Sequence, residues 1–374
     1  MTKGRLRGIP LLSSLVFRLS SFVFLVGCSG TSVQSEVPEQ PTRKARLVFV
    51  GDVMSHLPQV RAARAEDGTY DYSEVFRHVK PIFDSADVVV ANLETTLRDA
   101  PPYTGYPLFA APAELAFAMR TAEVDVATFA NNHTLDKGAE GIRSTLRLLD
   151  SAGIAHTGAF RDSTDRARRN PLGFSAGGLR FVLFNYTYGT NGIPVPRDVV
   201  VNLIDTVAIA RDLAGVNRDS VDCVIVCYHW GEEYRTRPNR AQKTLAAWTR
   251  SRGADLIIGG HPHVVQPIEV HYNSDSSAVT GATYYSLGNF VSNQRQRGTD
   301  GGMIAEVTLT RTDTLPLAWD IGYRLVWVYT PVRAGVRRFT VLPASAADTL
   351  LSRDTTALRH FRHFTHNIRR LLKD

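Results

Sequence analysis

Cysteine is scarce in this chain of 374 residues, which has three, at Cys28, Cys223 and Cys227. Three cysteines cannot form the dense disulfide framework that stabilises many small secreted domains. The sequence also lacks internal repeats, and its 28 glycines and 18 prolines are too few for a collagen-like or linker-dominated chain. Because 44% of the residues are apolar, disorder over most of the length is excluded as well.

A strong excess of charge of one sign is also missing from the body of the chain. The formal net charge is +7, but residues 1–27 hold four cations, Lys3, Arg5, Arg7 and Arg18, and no acid. The remaining residues therefore carry only +3, which is too little to favour nucleic acid as a partner. We predict no nucleic-acid binding.

The N-terminal segment has the pattern of a bacterial lipoprotein signal. A basic region precedes a short apolar run, Leu19 to Val26, and Cys28 follows in the sequence Leu-Val-Gly-Cys. This run is too short to span a bilayer comfortably, so an uncleaved membrane helix is the less favoured alternative. We predict a signal peptide over 1–28 with lipidation at Cys28, a flexible tether over 29–45, and an exported protein anchored to a membrane of the cell envelope.

Several apolar runs of strand length in the body each end directly before polar side chains of the kinds that bind metals. These runs cover residues 46–50, 87–91, 124–130, 221–228 and 255–260. Their nearly continuous apolar character is typical of strands buried on both faces. Helical patterns lie between them at 74–85, 113–122, 141–151, 205–214 and 240–251. The alternation predicts α/β layering with a mostly parallel sheet.

Ligands of such sheets bind outside the carboxyl ends of the strands. At that edge the sequence collects Asp52, Asn92, Glu94, Asn132, His229, His261 and His263. Imidazoles, carboxylates and amide oxygens together suit Mn, Fe or Zn better than Ca or Mg, and the absence of cysteine disfavours a structural zinc site. His261 and His263 would project to one side of an extended loop. We predict a site for one or two divalent metal ions; the alternative is a polar rim on an inert sheet.

Six short motifs follow one another in the body of the chain. They are Gly51-Asp-Val-Met54, Asn92-Leu-Glu94, Asn131-Asn-His-Thr-Leu-Asp-Lys-Gly138, His229-Trp-Gly-Glu-Glu-Tyr234, Gly260-His-Pro-His263 and Tyr285-Ser-Leu-Gly-Asn-Phe290. The series resembles that of the CapA family, the poly-γ-glutamate capsule synthesis proteins of the calcineurin-like metallophosphoesterase superfamily. The resemblance spans residues 46–295. It implies a metallophosphatase-like layered β-sandwich flanked by helices, followed over 296–374 by a small β-rich extension and a basic terminal helix.

The resemblance also implies roles for individual residues. The later metal ligands of the superfamily are matched by His229, His261 and His263, and the first aspartate and the metal-binding asparagine by Asp52 and Asn132. His133 matches the histidine that protonates a leaving group or steadies the transition state.

Two positions depart from the superfamily pattern. The bridging aspartate is replaced by Asn92 or Glu94. A ligand histidine is replaced by Met54, whose thioether is a weak ligand for the metals considered. His56, two residues further on, either substitutes for it or is an exposed loop histidine, and we favour the exposed residue. Whether the site holds one metal or two therefore stays open.

Three residues beside the ligand motifs are predicted to bind substrate. Trp230 and Tyr234 flank His229, and Asn289 lies in a strand-to-loop turn. The alternatives are that the two aromatic residues wall the pocket and that Asn289 belongs to a purely structural turn. Glu232 and Glu233 either orient a ligand histidine or form a solvated acidic turn.

Two further sets of metal-binding residue types are expected to be structural. Cys223 and Cys227 lie on one predicted strand, too far apart to bond to each other, and are expected in the core. His360, His363 and His366 recur in an Arg-rich helix and are expected on its solvated face.

The leading functional hypothesis is a cell-envelope lipoprotein for biosynthesis or export of poly-γ-glutamate or a similar capsule polymer, with a metallophosphatase-like site. One alternative is a metal-dependent phosphoesterase acting on an envelope phosphoester. Another is a non-catalytic accessory protein that binds polyanions. The expected partners are an anionic polymer or phosphoester substrate, a membrane-embedded polymer synthase complex, and the membrane through the lipid anchor.

Overall fold

The computed structural model of the protein describes residues 42–312 and 315–373. The predicted lipoprotein signal, Cys28 and most of the predicted tether lie outside the described residues. The predicted tether, 29–45, extends three residues too far, because the first strand already begins at Arg43 and pairs there with Arg311. In the described part of the chain, no helix combines the length and the apolar character that a membrane span needs.

The strands of the described residues are numbered in chain order. They are β1 (Arg43–Val53), β2 (Val88–Leu93), β3 (Leu97–Arg98), β4 (Ala111–Pro112), β5 (Val126–Thr128), β6 (Ala155–Thr157), β7 (Ala159–Phe160), β8 (Leu172–Ala176), β9 (Leu179–Thr187), β10 (Val200–Val201), β11 (Cys223–His229), β12 (Leu256–Gly260), β13 (Ile268–Tyr272), β14 (Val279–Tyr284), β15 (Asn289–Val291), β16 (Gly301–Arg311), β17 (Ala318–Tyr329), β18 (Val332–Arg333), β19 (Val336–Arg337) and β20 (Thr340–Pro343).

The helices are numbered in the same way. They are α1 (Leu57–Ala63), α2 (Ser73–Phe76), α3 (Lys80–Asp84), α4 (Glu114–Thr121), α5 (Gly138–Ala152), α6 (Ser163–Arg169), α7 (Thr206–Ala214), α8 (Arg240–Ser251), α9 (Ala344–Leu350) and α10 (Thr355–Leu371), with one short 3₁₀ helix at Arg218–Ser220. The predicted helix over 74–85 is two helices, and Pro81 lies in the first turn of the second, where proline is favoured. The α4 helix begins at Glu114, one residue later than predicted, and Pro112 before it belongs to β4.

The first sheet has the order β20-β17-β16-β1-β2-β5-β6, and β15 also pairs with β1. The pairs from β1 to β6 are parallel, whereas β16, β17 and β20 are joined by antiparallel pairing. We expected the β-rich segment after residue 295 to pack on the domain as an extension. Instead β16 pairs with β1 from Arg43 to Val50, so it completes the main sheet by hydrogen-bonding along an otherwise open edge.

The second sheet has the order β13-β14-β12-β11-β9-β8. Its four inner strands are parallel, and the two edge strands are antiparallel. The two sheets face each other across one apolar core, to which β1 contributes Leu47 and Phe49, and β11 contributes Cys223, Ile225 and Cys227. Both cysteines are buried and free, as predicted.

Helices cover the outer faces of both sheets. The α4 and α5 helices pack on the first sheet through residues such as Leu115 and Ile142, and α7 packs on the second through Ile209. The α10 helix packs into the core between the sheets, to which it contributes buried Phe361. Its histidines are exposed, as expected for a solvated basic face. The predicted layered α/β fold with helices flanking a β-sandwich is thereby confirmed.

Candidate metal centre

The carboxyl ends of β1 and β2 meet those of β11 and β12 at one edge of the sandwich. The Asn92 side-chain amide donates to Asp52 Oδ1 at 2.8 Å, and its Nδ2 atom lies 3.4 Å from Nδ1 of His229. His263 Nδ1 lies 3.1 Å from Asp52 Oδ2. Residues predicted from separate motifs therefore contact one another across the two sheets.

Two glycines allow this close approach. A Cβ atom at Gly260 would stand 2.8 Å from Asp52 Oδ1, and one at Gly51 would stand 1.9 Å from the carbonyl oxygen of Gly288. Gly51 also coincides with a shift in the pairing of β1 with β2, between Val50 and Asp52. Any side chain at these positions would separate the strands that carry the site.

His261 and His263 are held in strained backbone conformations on either side of Pro262. Their φ angles are +96° and +59°, so the segment is not the extended loop that we expected. Such conformations cost about 1–3 kcal/mol each for non-glycine residues and are concentrated at functional sites. The Tyr234 N–H donates to the Pro262 carbonyl at 2.8 Å. The two rings lie 6.0 Å apart between centroids, close enough to line one site.

Glu94 is the least satisfied polar residue of this edge. Its side chain is 0% exposed, and neither carboxylate oxygen has a hydrogen-bond partner among the described residues. Oε1 lies 3.6 Å from His229 Nε2 and 3.8 Å from His263 Nε2. Burial, followed by the nearby charge of Asp52, raises the pKa of this carboxyl well above its ordinary value. A cation between these groups would remove both penalties.

The donor atoms converge in clusters suited to a divalent cation. Glu94 forms one cluster with His229 and His261, and another with Asp52 and His263; within each cluster the donor atoms lie within 4.8 Å of one another. Glu94 is common to both clusters. The sequence alone did not decide whether Glu94 or Asn92 replaces the bridging aspartate. Asn132 Oδ1 lies 2.8 Å from His229 Nε2, beside the first cluster.

The electrostatics of the histidines also fit metal binding, which requires neutral imidazole. Burial, and then the neighbouring His261, lowers the pKa of His229 well below its ordinary value. Burial, and then His263, lowers the pKa of His261 to about 3. The Nδ1 atom of His261 has no hydrogen-bond partner among the described residues. Both rings are therefore uncharged at neutral pH, which is the form of imidazole that binds a metal.

His133 forms a pair with a carboxylate that our sequence reasoning missed. Its Nδ1 atom lies 2.7 Å from Asp136 Oδ2, and both side chains are buried. The same carboxylate oxygen accepts the Phe109 N–H at 2.6 Å, and the Phe109 ring packs edge-on against His133 at 4.6 Å. The His-x-x-Asp spacing within the motif Asn131–Gly138 was the available sequence signal.

Met54 and His56 differ in their burial and in their contacts. Met54 is 2% exposed, and its carbonyl accepts from the Gln59 side chain at 2.7 Å. His56 is half-buried and caps α1, with Nδ1 3.2 Å from Gln59 Oε1 and its ring edge-on to Phe109, so our expectation of an exposed loop histidine is wrong. His56 belongs to none of the His, Asp and Glu clusters found among the described residues.

Comparison with known proteins identifies the family. The family model described as "Bacterial capsule synthesis protein PGA_cap" matches residues 46–294. The chain belongs to this family. It is 30% identical over 275 residues to the "Capsule biosynthesis protein CapA" of Bacillus anthracis, covering 71% of this chain and 64% of that protein. It is 28% identical over 283 residues to the "PGA biosynthesis protein CapA" of Bacillus subtilis (strain 168), covering 71% and 68%.

A solved structure is also similar to this capsule synthesis family member. It is titled a novel phosphatase from Mycoplasma pneumoniae, with 13% identity, a TM-score of 0.44, and coverage of 77% of this chain and 95% of that one. The match covers 64% of the length of the Bacillus anthracis relative.

Two of the three residues predicted to bind substrate are buried in this family member. Trp230 is 2% exposed, donates to the Tyr285 carbonyl at 2.9 Å, and packs in the core on the outer face of the second sheet. Asn289 is fully buried and donates its amide hydrogens to Gln294 and Thr299. Its oxygen lies 3.1 Å from His263 Nδ1, so each polar atom of this side chain has a partner within the protein.

Tyr234, the third residue predicted to bind substrate, lies at the rim of the site. Tyr188, which the sequence analysis did not indicate, lies there too. Tyr234 is 41% exposed, and its ring lies 6.2 Å from that of His263. Tyr188, which follows β9, is 48% exposed and its ring lies 4.5 Å from that of His261. Glu233 forms a further cluster with His261 and His263. No sequence motif singled out Tyr188, because β9 ends in no recognisable ligand pattern.

Proposed function

We propose that this capsule synthesis family member acts at the cell envelope in the biosynthesis or export of poly-γ-glutamate or a similar anionic polymer, and that its metal centre hydrolyses a phosphoester. The observation that carries the proposal is the buried Glu94 carboxylate, which faces two imidazoles and has no hydrogen-bond partner in the described part of the chain. A carboxylate in this state is costly unless a cation compensates it.

Two sets of residues would hold the metal. The proposed ligands are Asp52, Glu94 and His263 on one side, and Glu94, Asn132, His229 and His261 on the other. The donor types favour Mn, Fe or Zn, as one or two ions. When bound, such a metal supplies Lewis acidity toward a phosphoryl oxygen and lowers the pKa of a bound water.

The remaining chemistry belongs to the chain itself. Asp136 holds the Nδ1 side of His133, which leaves Nε2 as the nitrogen that carries a proton toward a leaving oxygen. The packing of Phe109 against the ring restricts its rotation. A general acid positioned in this way contributes about 10²–10⁴-fold to a rate. Tyr188 and Tyr234 contact the part of the substrate outside the reacting group.

The proposal is tested on the purified protein by elemental analysis and by hydrolysis of p-nitrophenyl phosphate. Asp52→Ala, Asn132→Ala and His263→Ala should each lower the bound metal and the hydrolysis rate. The exposed His360→Ala is a matched control that should change neither. Normal metal content in all three site variants would contradict the site as drawn. Bound metal without any turnover would favour the non-catalytic, polyanion-binding alternative.

The envelope location rests on the Leu-Val-Gly-Cys28 sequence. Because a lipidated cysteine is the anchor, Cys28→Ser should abolish labelling by a fatty-acid analogue and shift the protein out of the processed membrane fraction. Ser29→Ala is the neighbouring control and should leave both unchanged. Labelling and fractionation that survive Cys28→Ser would show that Cys28 is not the anchor.

A further inference from the structure

A strongly basic segment begins directly after the rim residue Tyr234. Residues 235–254 contain six Lys or Arg side chains and no Asp or Glu. They form the second half of the loop that follows β11, the whole of α8 and the three residues after it. Apart from the basic α10 helix, the described body of the chain is mixed in charge, so this segment is a local concentration of positive charge.

One face of this segment lines a groove of about 420 Å³ between α8 and the β13–β14 edge of the second sheet. Arg237, Lys243 and Arg250 line it, with small or apolar residues between them. Among the described residues lining the groove, Glu269 is the only acid, and its Oε2 accepts from the Tyr285 hydroxyl at 2.7 Å. The groove therefore has a net positive lining.

The cations follow a single stripe of α8. Arg240, Lys243 and Arg250 are spaced three and seven residues apart, which places them on one face of a helix. At 1.5 Å per residue the stripe is about 15 Å long. Within the described ranges, no carboxylate forms an ion pair with any of these three side chains. Their charges are available to a ligand.

A chain of hydrogen bonds joins this stripe to the metal centre. Tyr234 N–H donates to the carbonyl of Pro262, which lies between the two strained histidines. The Gln266 side chain donates to the Arg235 carbonyl at 2.8 Å. It also accepts from Gln242 of α8 at 2.9 Å. The groove and the metal edge are thus fixed relative to each other.

The orientation of the fold separates this region from the N-terminal segment. The chain enters β1 at Arg43, and Asp52 lies nine residues further along the strand, about 30 Å away at 3.3 Å per residue. The α8 helix begins at the metal edge, because its preceding loop follows the carboxyl end of β11. A membrane surface that meets residue 42 would therefore face the opposite end of the sandwich from Arg240 and Lys243.

We infer that this groove binds an extended acidic polymer with a carboxylate on each repeat, and guides it along α8 to the metal centre. The choice of polymer rests on the proposed function; the groove itself is argued from its charge, its shape and its hydrogen-bonded connection to the site. A row of cations spaced along about 15 Å matches repeated carboxylates better than it matches a single small anion.

The test measures binding of fluorescent poly-γ-glutamate to the purified protein at low and high salt. Binding should weaken with salt. The double variant Lys243→Glu/Arg250→Glu, at two cations that line the groove, should weaken it by about tenfold or more, since two attractions become repulsions. Arg359→Glu/Arg369→Glu on the exposed face of α10 changes the net charge equally and should weaken it less than about twofold. Metal content, measured on the same preparations, should be normal in both.

Three results would overturn the inference. One is polymer binding that survives the groove substitutions. Another is an equal loss in the α10 control, which would reduce the effect to net charge. The third is groove-dependent binding to phosphatidylglycerol vesicles with no groove-dependent binding to the polymer, which would make the surface a membrane contact. Polymer binding in the metal-poor Asp52→Ala variant separates this inference from the proposed hydrolysis, because the groove should bind polymer whether or not the centre is active.

Discussion

Glu94→Gln should remove most of the metal from the protein, with a loss of affinity greater than about 100-fold, because outer-shell changes alone already cost about 10–100-fold. The side chain is shared by both clusters, so neither cluster keeps its full donor set. Elemental analysis and titration calorimetry with Mn and Zn would measure the loss. Glu232→Gln, the same change on an exposed residue of the neighbouring loop, should have no effect.

The stability of the Glu94→Gln variant distinguishes a lost ligand from a damaged fold. In the metal-free protein the substitution should leave stability unchanged or raise it. It removes a buried carboxyl group that lies near Asp52 and has no hydrogen-bond partner among the residues that the structure describes. Metal at 100 times its dissociation constant stabilises a folded protein by about 2.7 kcal/mol. That metal-dependent rise in melting temperature should be absent from the variant. A full metal-dependent rise would contradict the role of Glu94.

Asp136→Asn should lower kcat for phenyl phosphate by about 100-fold while leaving metal content unchanged. An amide carries no charge with which to stabilise a protonated His133, although it can still accept the Phe109 N–H. The loss should be smaller for p-nitrophenyl phosphate, whose leaving group needs less protonation. His133→Ala and the double variant His133→Ala/Asp136→Asn should lower kcat by nearly the same factor. Asp136 acts through His133, so the effects of the two substitutions are not additive.

Asp222→Asn provides the matched control for this substitution. Asp222 is also a buried aspartate that accepts a backbone N–H, from Arg180 at 2.8 Å, but it lies outside the site. It should leave both substrates unaffected. An equal loss with both leaving groups in Asp136→Asn, or a fall in its metal content, would mean that Asp136 only holds the loop in place.

The strand ends that carry the site were predictable from the sequence. Runs such as 221–228 are almost wholly apolar, which requires burial on both faces, and a buried parallel strand brings its carboxyl end to the edge where ligands bind. Strand alternation also predicts the position of Trp230, although we expected this side chain to bind substrate. Alternate residues of β11 face opposite sides, so Trp230 shares the outer face with Tyr228 while His229 does not.

Three features were decided only by the tertiary structure. The pairing shift at Gly51 reverses the alternation of β1, since Val50 and Val53 both face the helices of the first sheet while Asp52 contacts His263. A shift of this kind cannot be derived from apolar periodicity. Tyr188 reaches the rim because β9 lies beside β11 in the second sheet.

The choice between Asn92 and Glu94 was the third such feature. Both follow the alternation of β2 toward the site, so sequence periodicity does not separate them. In the structure the Asn92 amide donates to Asp52, whereas both oxygens of Glu94 are buried and have no hydrogen-bond partner within residues 42–312 and 315–373. The sequence by itself determined which residue types gather at the edge, because burial and strand direction are local properties. Which of them is left unsatisfied depends on contacts between segments far apart in the chain, and only the assembled sandwich determines those contacts.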